Sequence, residues 1–431
     1  MEKAGISSGL FHSQAHYFFV MYVFFYSVGV CFYRFAVGFA ALFNEKAALW
    51  VKGRRQVWEQ MEAVERGAGP LIWFHVASLG EFEQGRPVME GLKEQSPETK
   101  ILLTFFSPSG YEIRKEYKGA DFIFYLPTDS PGHARRLIKI FKPDAAVFVK
   151  YEYWYHYLHR LFSESIPVYL ISAFFRKEQP FFKWWGGLYR RMLSYFTELY
   201  VQDDESVQLL QSIGITRVRR VGDTRFDRVK QIADEARRIE KVELFVGDFP
   251  TVVCGSTWPV DEEFILEYIN SRPAGLKWII VPHEIGEVHI RDILSRCKRR
   301  VVRYSEDTQD AAMGEVMVVD RIGLLSSIYR YGAIAYVGGG FGVGIHNTLE
   351  AAVYGIPVIF GPHYHKFKEA VDLLECGSAF TIKTPSDFHA LMDSLRENPV
   401  IVRQAGEGAS AYVTSRLGAT GEIVSQLLTH F

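Results

Sequence analysis

The segment HVASLGEFEQG, residues 75–85, contains a glutamate in a position suited to proton transfer. It follows an apolar run that predicts a strand, and Ser78 and Gly80 suit a tight turn before a helix begins. Glu81 would lie in the first turn of that helix, where a carboxylate whose pKa is raised by partial desolvation can accept a proton from a hydroxyl. The alternative is that Glu81 only complements the positive end of the helix dipole.

A glycine-rich turn, VGGGFGVGIHNTLEAAVYGIPVIFGP (337–362), follows another predicted strand. Its glycines would let the backbone approach a phosphate, and a helix is predicted to begin near Asn347 with its amides toward the anion. Glu350, one turn later, could accept both hydroxyls of a ribose. The alternative is a purely structural turn, because the segment matches neither the Walker pattern nor a convincing G-x-G-x-x-G.

The segment VGDTRFDRV (221–229) contains a candidate cationic residue, Arg225. Arg225 could stabilise a leaving phosphate through its guanidinium. The alternative is an ion pair with Asp223 or Asp227.

Two histidine patterns do not meet the spacing of metal sites. In HEIGEVH (283–289) the histidines are six residues apart instead of four, and His363 and His365 have no partner cluster in sequence. The four cysteines are far apart, which is typical of free thiols in a reducing compartment. We therefore expect no protein-bound metal.

Short apolar runs that alternate with amphipathic segments must position these residues. This alternation predicts parallel βαβ units, and it stalls in the charged stretch 228–243 before it restarts at TVVCGS (251–256). The sequence predicts an α/β protein with two Rossmann-like domains that face each other across a cleft. The expected boundaries are a membrane anchor at 1–50, a first Rossmann-like domain at 51–227, a linker at 228–244 and a second Rossmann-like domain at 245–431.

The N-terminal region has the composition of a membrane segment. Residues 17–33 are all apolar, aromatic or small, and the run continues after Arg34 to Phe43. A helix that continues past Arg34 is long enough to span a bilayer with tilt; it could also lie in the interface, or be a buried helix of a soluble domain. The basic flank from Lys46 to Arg55 predicts that the globular part is cytoplasmic.

A second stretch, residues 173–192, combines seven aromatic and five basic residues. Such a mixture is typical of a surface that contacts anionic lipid, and the alternative is an ordinary aromatic loop and core helix. The whole chain has a formal net charge of -1, so no global field favours nucleic acid. The sequence does not predict an oligomeric state.

Taken together, these segments resemble the bacterial 3-deoxy-D-manno-octulosonic acid (Kdo) transferases. The matching motifs occur in the family's order along nearly the whole chain after the anchor: FHVASLGEFEQGRPVMEGL, SPSG (107–110), YLPTDSPGHARRLIKIFKPD (125–144), VGDTRFD, CGSTWPVDEE (254–263), VPHE (281–284), GGG, HNTLEAA and GIPVIFGP.

The resemblance implies an inverting enzyme of GT-B architecture that transfers Kdo from CMP-Kdo to the 6′-hydroxyl of a lipid A precursor at the cytoplasmic face of the bacterial inner membrane, without a metal. Residues 51–227 would bind the acceptor and residues 245–431 the CMP-sugar. Glu81 would be the general base and Arg225 a second catalytic residue. The implied donor-binding residues are Gly255, Ser256, His283, Gly339, Gly340, Asn347 and Glu350. The implied acceptor-side residues are Ser78, Ser107 and Glu152.

The sequence departs from the family pattern at several positions. Residues 150–156 keep only Glu152 and Trp154 of the family's E-x-E-x-W-P-N, Arg225 replaces a common lysine, and His283 with Glu284 replaces an Arg-His pair. Two other interpretations remain open. The chain could be another GT-B enzyme that uses a UDP-sugar, as transferase or epimerase, or a non-catalytic membrane protein of the same fold.

Overall fold

The computed structural model describes residues 4–306 and 311–429, with side chains from residue 19 onward. Contacts divide the chain into two units, Met1–Asp227 with Gly418–Phe431 and Arg228–Leu417. Each unit contains a seven-stranded sheet in which every described pairing is parallel. The predicted α/β class with two Rossmann-like sheets is confirmed.

The first unit begins with helices and then alternates strands with helices. Its strands are β1 (Leu71–Val76), β2 (Lys100–Phe105), β3 (Phe122–Tyr125), β4 (Ala145–Val149), β5 (Val168–Ala173), β6 (Glu198–Val201) and β7 (Val218–Arg220). Its helices are α1 (Ala4–Ala40), α2 (Glu45–Arg55), α3 (Val57–Ala63), α4 (Leu79–Gln95), α5 (Pro108–Arg114), α6 (Pro131–Phe141), α7 (Tyr155–Ser163), α8 (Gly187–Leu193) and α9 (Asp204–Ser212).

The sheet of the first unit has the order β3-β2-β1-β4-β5-β6-β7. The central strands β1 and β4 are buried at every residue, because helices cover both faces of a parallel sheet. The strand order reverses between β1 and β4, and the crevice beyond their carboxyl ends is where doubly wound sheets bind ligands.

The second unit follows α10 (Thr224–Glu235), the helix within which the chain passes from one unit to the other. Its strands are β8 (Thr251–Thr257), β9 (Lys277–Pro282), β10 (Val301–Arg303), β11 (Val316–Val318), β12 (Ile334–Val337), β13 (Val358–Phe360) and β14 (Ala379–Thr381). Its helices are α11 (Glu240–Val246), α12 (Pro259–Ser271), α13 (Glu287–Arg296), α14 (Leu325–Ile328), α15 (Leu349–Ala352), α16 (Lys368–Glu375), α17 (Pro385–Glu397) and α18 (Pro399–Thr414). The order β10-β11-β9-β8-β12-β13-β14 reverses between β8 and β12.

The last helix, α19 (Ala419–Leu428), returns to the first unit. Ile423, Val424 and Leu427 of this helix are buried in the apolar cluster that includes α4 and the β1 sheet. The Asp227 carboxylate fixes its start by accepting the backbone N–H groups of Gly418 and Thr420, each at 2.7 Å. The sequence assigned the whole range 245–431 to the second domain, whereas the structure places this helix with the first.

Helix α1 is continuous through Arg34 and lies against the first unit along one face. The Tyr26 hydroxyl donates to Asp129 at 2.6 Å, and Ser27 Oγ lies 2.9 Å from His156 Nε2. The opposite face is apolar and exposed, with Phe32 70% and Phe35 75% accessible. Within the described residues, Phe19–Ala40 is long and apolar enough to cross a membrane.

The aromatic-basic stretch 173–192 is largely part of the fold. Phe175 and Phe181 are buried, and Arg190 donates to the carbonyl oxygens of Phe181 and Lys183 at 2.9 and 2.8 Å. Trp184 and Trp185 are exceptions, since they are 90% and 43% exposed. Any lipid contact of this stretch is therefore centred on Trp184 and Trp185 and not on the whole segment.

Candidate active site

In the first unit, the chain leaves β1 and β4 at the same edge of the sheet. The two strands pair in parallel, so the turn at 77–78 and the loop at 150–154 emerge side by side. Ser107 joins them because its backbone N–H donates to the Ala77 carbonyl at 2.7 Å, and its Oγ then caps α5. The switch point of this sheet therefore carries three of the segments that the sequence singled out.

Glu81 lies in the first turn of α4, directly after this edge. Ser78 precedes the helix, and its hydroxyl donates to the Glu81 carboxylate. Glu81 is half-buried. Partial burial raises the pKa of Tyr151, and the charges of Arg176, Glu81 and Arg225 all act on that phenol. Glu81 is thus grouped with a tyrosine and two arginines at one edge of the sheet.

Arg225 lies beside Asp223 at the start of α10. Its Nε and its terminal nitrogen approach the Asp223 carboxylate at 2.9 and 2.8 Å. Gln84, one turn after Glu81 on α4, donates to both oxygens of the same carboxylate. Burial opposes the charge on Asp223, but Arg225 holds the pKa of this carboxyl below its usual value. The ion pair considered as an alternative from sequence is present, and it fixes the guanidinium near Glu81.

Glu152 occupies a buried hydrogen-bond network. Trp154 Nε1 donates to its carboxylate at 2.7 Å, and His75 Nε2 lies 2.9 Å from the same oxygen. On its other side, His75 contacts Thr104, which accepts from the indole of Trp73. Because Glu152 is only 7% exposed, it acts on this edge by holding Trp154 and the 150–154 loop in place.

In the second unit, β8 and β12 pair at the switch point, so the turn after Gly255 and the glycine loop after Val337 leave the same edge. The Gly338 N–H donates to the Gly255 carbonyl at 2.9 Å. Gly255 admits no side chain, because a Cβ would lie 2.1 Å from the Tyr329 hydroxyl. Ser256 has a left-handed backbone, with φ of 52°.

The glycine loop is held by a buried aspartate that the sequence analysis did not single out. Asp261 accepts the Gly339 N–H at 3.1 Å, the Trp258 N–H at 2.9 Å and the Tyr336 hydroxyl at 2.6 Å. Gly339 has φ of 88°, and a Cβ on Gly340 would lie 2.6 Å from the backbone of Gly361. The loop requires glycine at these positions and keeps its backbone at the sheet edge.

Three aromatic rings stack beside this loop. His283 lies between Trp258 and His346, with ring centroids 4.6 and 4.5 Å away. Burial, together with the neighbouring His283, lowers the pKa of His346 to about 4. A neutral His346 can accept a hydrogen bond, and the Trp258 indole lies 3.2 Å from its Nε2. Histidines at 283 and 346, with Trp258, therefore form a flat aromatic surface.

Asn347 and Glu350 are close together, as the motif spacing predicted. The Asn347 amide donates to Glu350 at 3.1 Å and its oxygen accepts the Leu349 N–H. The helix predicted to begin near Asn347 is present but consists of a single turn, α15, which covers Leu349–Ala352. One turn has little macrodipole, so loop amides and not a helix end must supply most of any attraction for a phosphate.

Across residues 4–306 and 311–429, no group of three or more His, Cys, Asp or Glu side chains has an arrangement that could hold a metal ion. The residues that the sequence analysis missed are Tyr151, Arg176 and Asp261, together with the stacking partners of His283. Asp261 lies within the quoted motif CGSTWPVDEE, so its position was available, but its contacts depend on the folded loop.

Solved structures share this two-unit architecture. UDP-GlcNAc 2-epimerase from Neisseria meningitidis, bound to UDP-GlcNAc, matches 83% of this chain and 100% of its own with a TM-score of 0.58 at 18% identity. MurG of Acinetobacter baumannii matches 84% and 100% with a TM-score of 0.53 at 12% identity. With the two Rossmann-like units, these likenesses define the fold as GT-B.

Sequence comparisons identify the protein family within this fold. Residues 51–228 match the family model described as 3-deoxy-D-manno-octulosonic-acid transferase (kdotransferase). The transferase of that name from Aquifex aeolicus is 32% identical over 73% of this chain and 83% of its own length. That from Haemophilus influenzae is 27% identical over 70% and 73%. The chain belongs to the Kdo transferase family and is a glycosyltransferase.

Proposed function

We propose that this enzyme transfers Kdo from CMP-Kdo to the 6′-hydroxyl of a glucosamine in a lipid A precursor, with inversion at the anomeric carbon. The first unit binds the acceptor and the second binds the donor. The observation that carries this assignment is the placement of Glu81 at the switch point of the first sheet, beside Ser78, Tyr151 and Arg225.

In this mechanism Glu81 accepts the proton of the acceptor hydroxyl. The oxygen attacks the anomeric carbon of Kdo from the face opposite the phosphate, a C–O bond forms, and the bond to the phosphate oxygen breaks. CMP leaves with the electron pair. Ser78, which donates to Glu81, keeps the carboxylate oriented, and Arg225 supplies positive charge to the developing negative charge.

The second unit offers groups suited to a nucleoside monophosphate. The backbone of Gly339 and Gly340 can approach a phosphate closely, as a side chain at either position cannot. Glu350, held by Asn347, can accept the ribose hydroxyls. The stack of Trp258, His283 and His346 supplies a further binding surface at the same edge. Gly255 and Ser256 shape the neighbouring turn.

Helix α1 anchors the enzyme to the bacterial inner membrane with the globular units on the cytoplasmic side. Two features support this localisation: the exposed apolar face of the helix and the basic residues that follow it, from Lys46 to Arg55. An enzyme whose acceptor is lipid-borne must act at the bilayer surface.

Replacement of Glu81 by Gln tests the proposal. The amide keeps the size of the side chain but cannot accept the proton, so the transfer rate should fall by roughly 10²–10⁴-fold. Transfer would be followed by mass spectrometry with freshly generated CMP-Kdo and a lipid IVA-like acceptor. Glu94→Gln is the matched control, because Glu94 is an exposed glutamate near the other end of α4.

Near wild-type turnover in Glu81→Gln would rule out Glu81 as the base. Nucleotide specificity tests the donor assignment independently of turnover. Thermal stabilisation of the wild-type protein by CMP and not by UDP supports a CMP-sugar. The opposite preference would favour a UDP-sugar enzyme of the same fold.

A further inference from the structure

An apolar cavity of about 410 Å³ lies between α1 and the loops of the first unit. Tyr26, Gly29 and Tyr33 line it from the helix, and Phe106 and Trp154 line it from the loops. Its volume lies within the roughly 300–1,000 Å³ that small-molecule sites occupy. No part of the transfer chemistry described above uses this cavity.

The walls of this cavity are held by specific polar contacts. Tyr26 of α1 donates to the buried Asp129 at 2.6 Å. The same carboxylate accepts the backbone N–H groups of His156 and Tyr157 at 3.0 and 3.1 Å, which fixes the start of α7. Trp154, directly before that helix, is held by Glu152. The helix and the loops are therefore joined around the cavity at defined positions.

Gly29 keeps the helix side of the cavity open. A Cβ at this position would meet no atom within 4 Å beyond its own helix. The neighbouring wall residues on α1 are aromatic or branched, so the absence of a side chain at Gly29 leaves a space that protein atoms do not fill.

The position of the cavity indicates its occupant. Phe106 is adjacent in sequence to Ser107, and Trp154 donates to Glu152, so two walls continue directly into the candidate acceptor side. The third wall is α1, whose opposite face exposes Phe24, Phe32 and Phe35. An apolar space between a bilayer-directed helix and an acceptor edge suits a hydrocarbon chain attached to the acceptor sugar.

A cationic cavity adjoins the apolar one. It has a volume of about 370 Å³, shares Thr128 with the apolar cavity, and is lined by Arg34 and Arg55. The two cavities together match an amphiphile with an anionic group beside its hydrocarbon. Charge complementarity thus favours a phosphorylated lipid over an uncharged apolar molecule.

We propose that the apolar cavity binds an acyl chain of the lipid acceptor and so positions the acceptor sugar at the edge that carries Ser107 and Glu152. This inference rests on the proposed function. Binding of a chain that does not react contributes equally to the ground state and the transition state, so its loss raises KM and leaves kcat unchanged.

The test fills the cavity with a larger side chain introduced at Gly29. Gly29→Leu in the full-length enzyme should raise KM for a four-chain phosphorylated acceptor at least tenfold, because several methylene groups lose their buried site. KM for the deacylated, water-soluble acceptor and the affinity for CMP should not change. Gly29→Ala removes the glycine but fills little of the space, and Cys31→Leu adds leucine to the exposed face of α1. Both controls should behave as wild type.

An unchanged KM for the acylated acceptor in a folded Gly29→Leu enzyme would overturn the proposal. So would an equal rise in Cys31→Leu, which would indicate a general effect of bulk on α1. If Gly29→Leu does not fold, crosslinking of the wild-type protein decides. An acceptor with a photoreactive acyl chain should label the peptides that contain Gly29, Phe106 or Trp154, and labelling only elsewhere refutes the site.

The proposed function can fail separately. If the wild-type enzyme transfers no Kdo to either acceptor, the function itself is wrong. If it transfers Kdo to both but the Gly29→Leu variant shows no selective loss for the acylated one, only the acyl site is wrong.

Discussion

The stability of the glycine loop in the second unit should depend strongly on Asp261, whose side chain is buried. Its carboxylate accepts three hydrogen bonds, from the backbone of Trp258 and Gly339 and from the Tyr336 hydroxyl. Asp261→Ala would leave these three donors buried without their acceptor. At about 1–1.5 kcal/mol for each lost bond, the free energy of unfolding should fall by about 3–5 kcal/mol.

Asp261→Asn provides an internal comparison. Burial raises the pKa of Asp261, so its charged form carries a desolvation cost that a neutral amide does not. The amide oxygen can still accept the two backbone N–H groups, and its nitrogen can donate to the Tyr336 hydroxyl. We therefore expect a cost of about 1–2 kcal/mol, well below that of the alanine variant.

Denaturant unfolding and calorimetric titration with CMP would measure both effects. The Gly339 amide loses its tether in Asp261→Ala, so the affinity for CMP should fall at least tenfold, with an intermediate loss in Asp261→Asn. Asp292→Ala, which breaks only the surface pair with Arg296, is the control and should change stability by less than about 0.5 kcal/mol. Wild-type stability and affinity in Asp261→Ala would refute this account of the loop.

Three further predictions follow from particular side chains. Glu350→Ala should weaken CMP binding about tenfold in calorimetry, since ribose hydroxyls lose a charged acceptor, and an unchanged affinity would place the ribose elsewhere. Burial raises the pKa of Asp129 from 3.8 to about 6, so the folded state binds the proton more tightly. Relative to Asp129→Asn, the wild-type free energy of unfolding should fall by about 3 kcal/mol as pH rises from 4 to 6 and then stay level; a pH-independent difference would contradict this. Replacing Lys183 and Trp184 by Ser should weaken binding of the full chain to anionic vesicles at low salt and have little effect at high salt, as judged by flotation; equal binding at low salt would exclude a lipid contact there.

Central strands were predictable from sequence, whereas several edge strands were not. The runs that become β1 and β4 are apolar at almost every position, because parallel strands are covered on both faces. β7, β10 and β14 were missed. Each has three residues and lies at the edge of its sheet, so it is too short and too polar to give a continuous apolar run.

The return of α19 could not be predicted for a different reason. Its apolar spacing predicts a helix with one buried face, but the same face would suit either sheet. What selects the first unit is the contact of Ile423 and Val424 with its core and the capping of the helix by Asp227. The cap joins residues about 190 positions apart in sequence, and the packing joins residues still farther apart. The sequence pattern contains no direct sign of that proximity.

For the candidate site, the sequence located the loops but not what holds them. Glu81 and Glu350 were singled out because each follows a glycine-containing turn at the predicted start of a helix. Asn347 was singled out because it matches the family motif. Asp261 and His75 were not singled out, because a single buried polar residue has no local pattern. Their importance appears only when strands distant in sequence bring donors to them.

Helix α1 is also connected to the proposed acceptor edge through side-chain contacts. Trp154 connects Glu152 to Phe106 by a hydrogen bond on one side and ring stacking, at 4.8 Å, on the other. Phe106 in turn stacks on Tyr33 of α1, at 6.1 Å. A chain of packed rings therefore runs from the helix to the acceptor edge. Because these rings pack in sequence, we expect a change in the seating of α1 to shift the 150–154 loop, which would couple this helix to the proposed acceptor site.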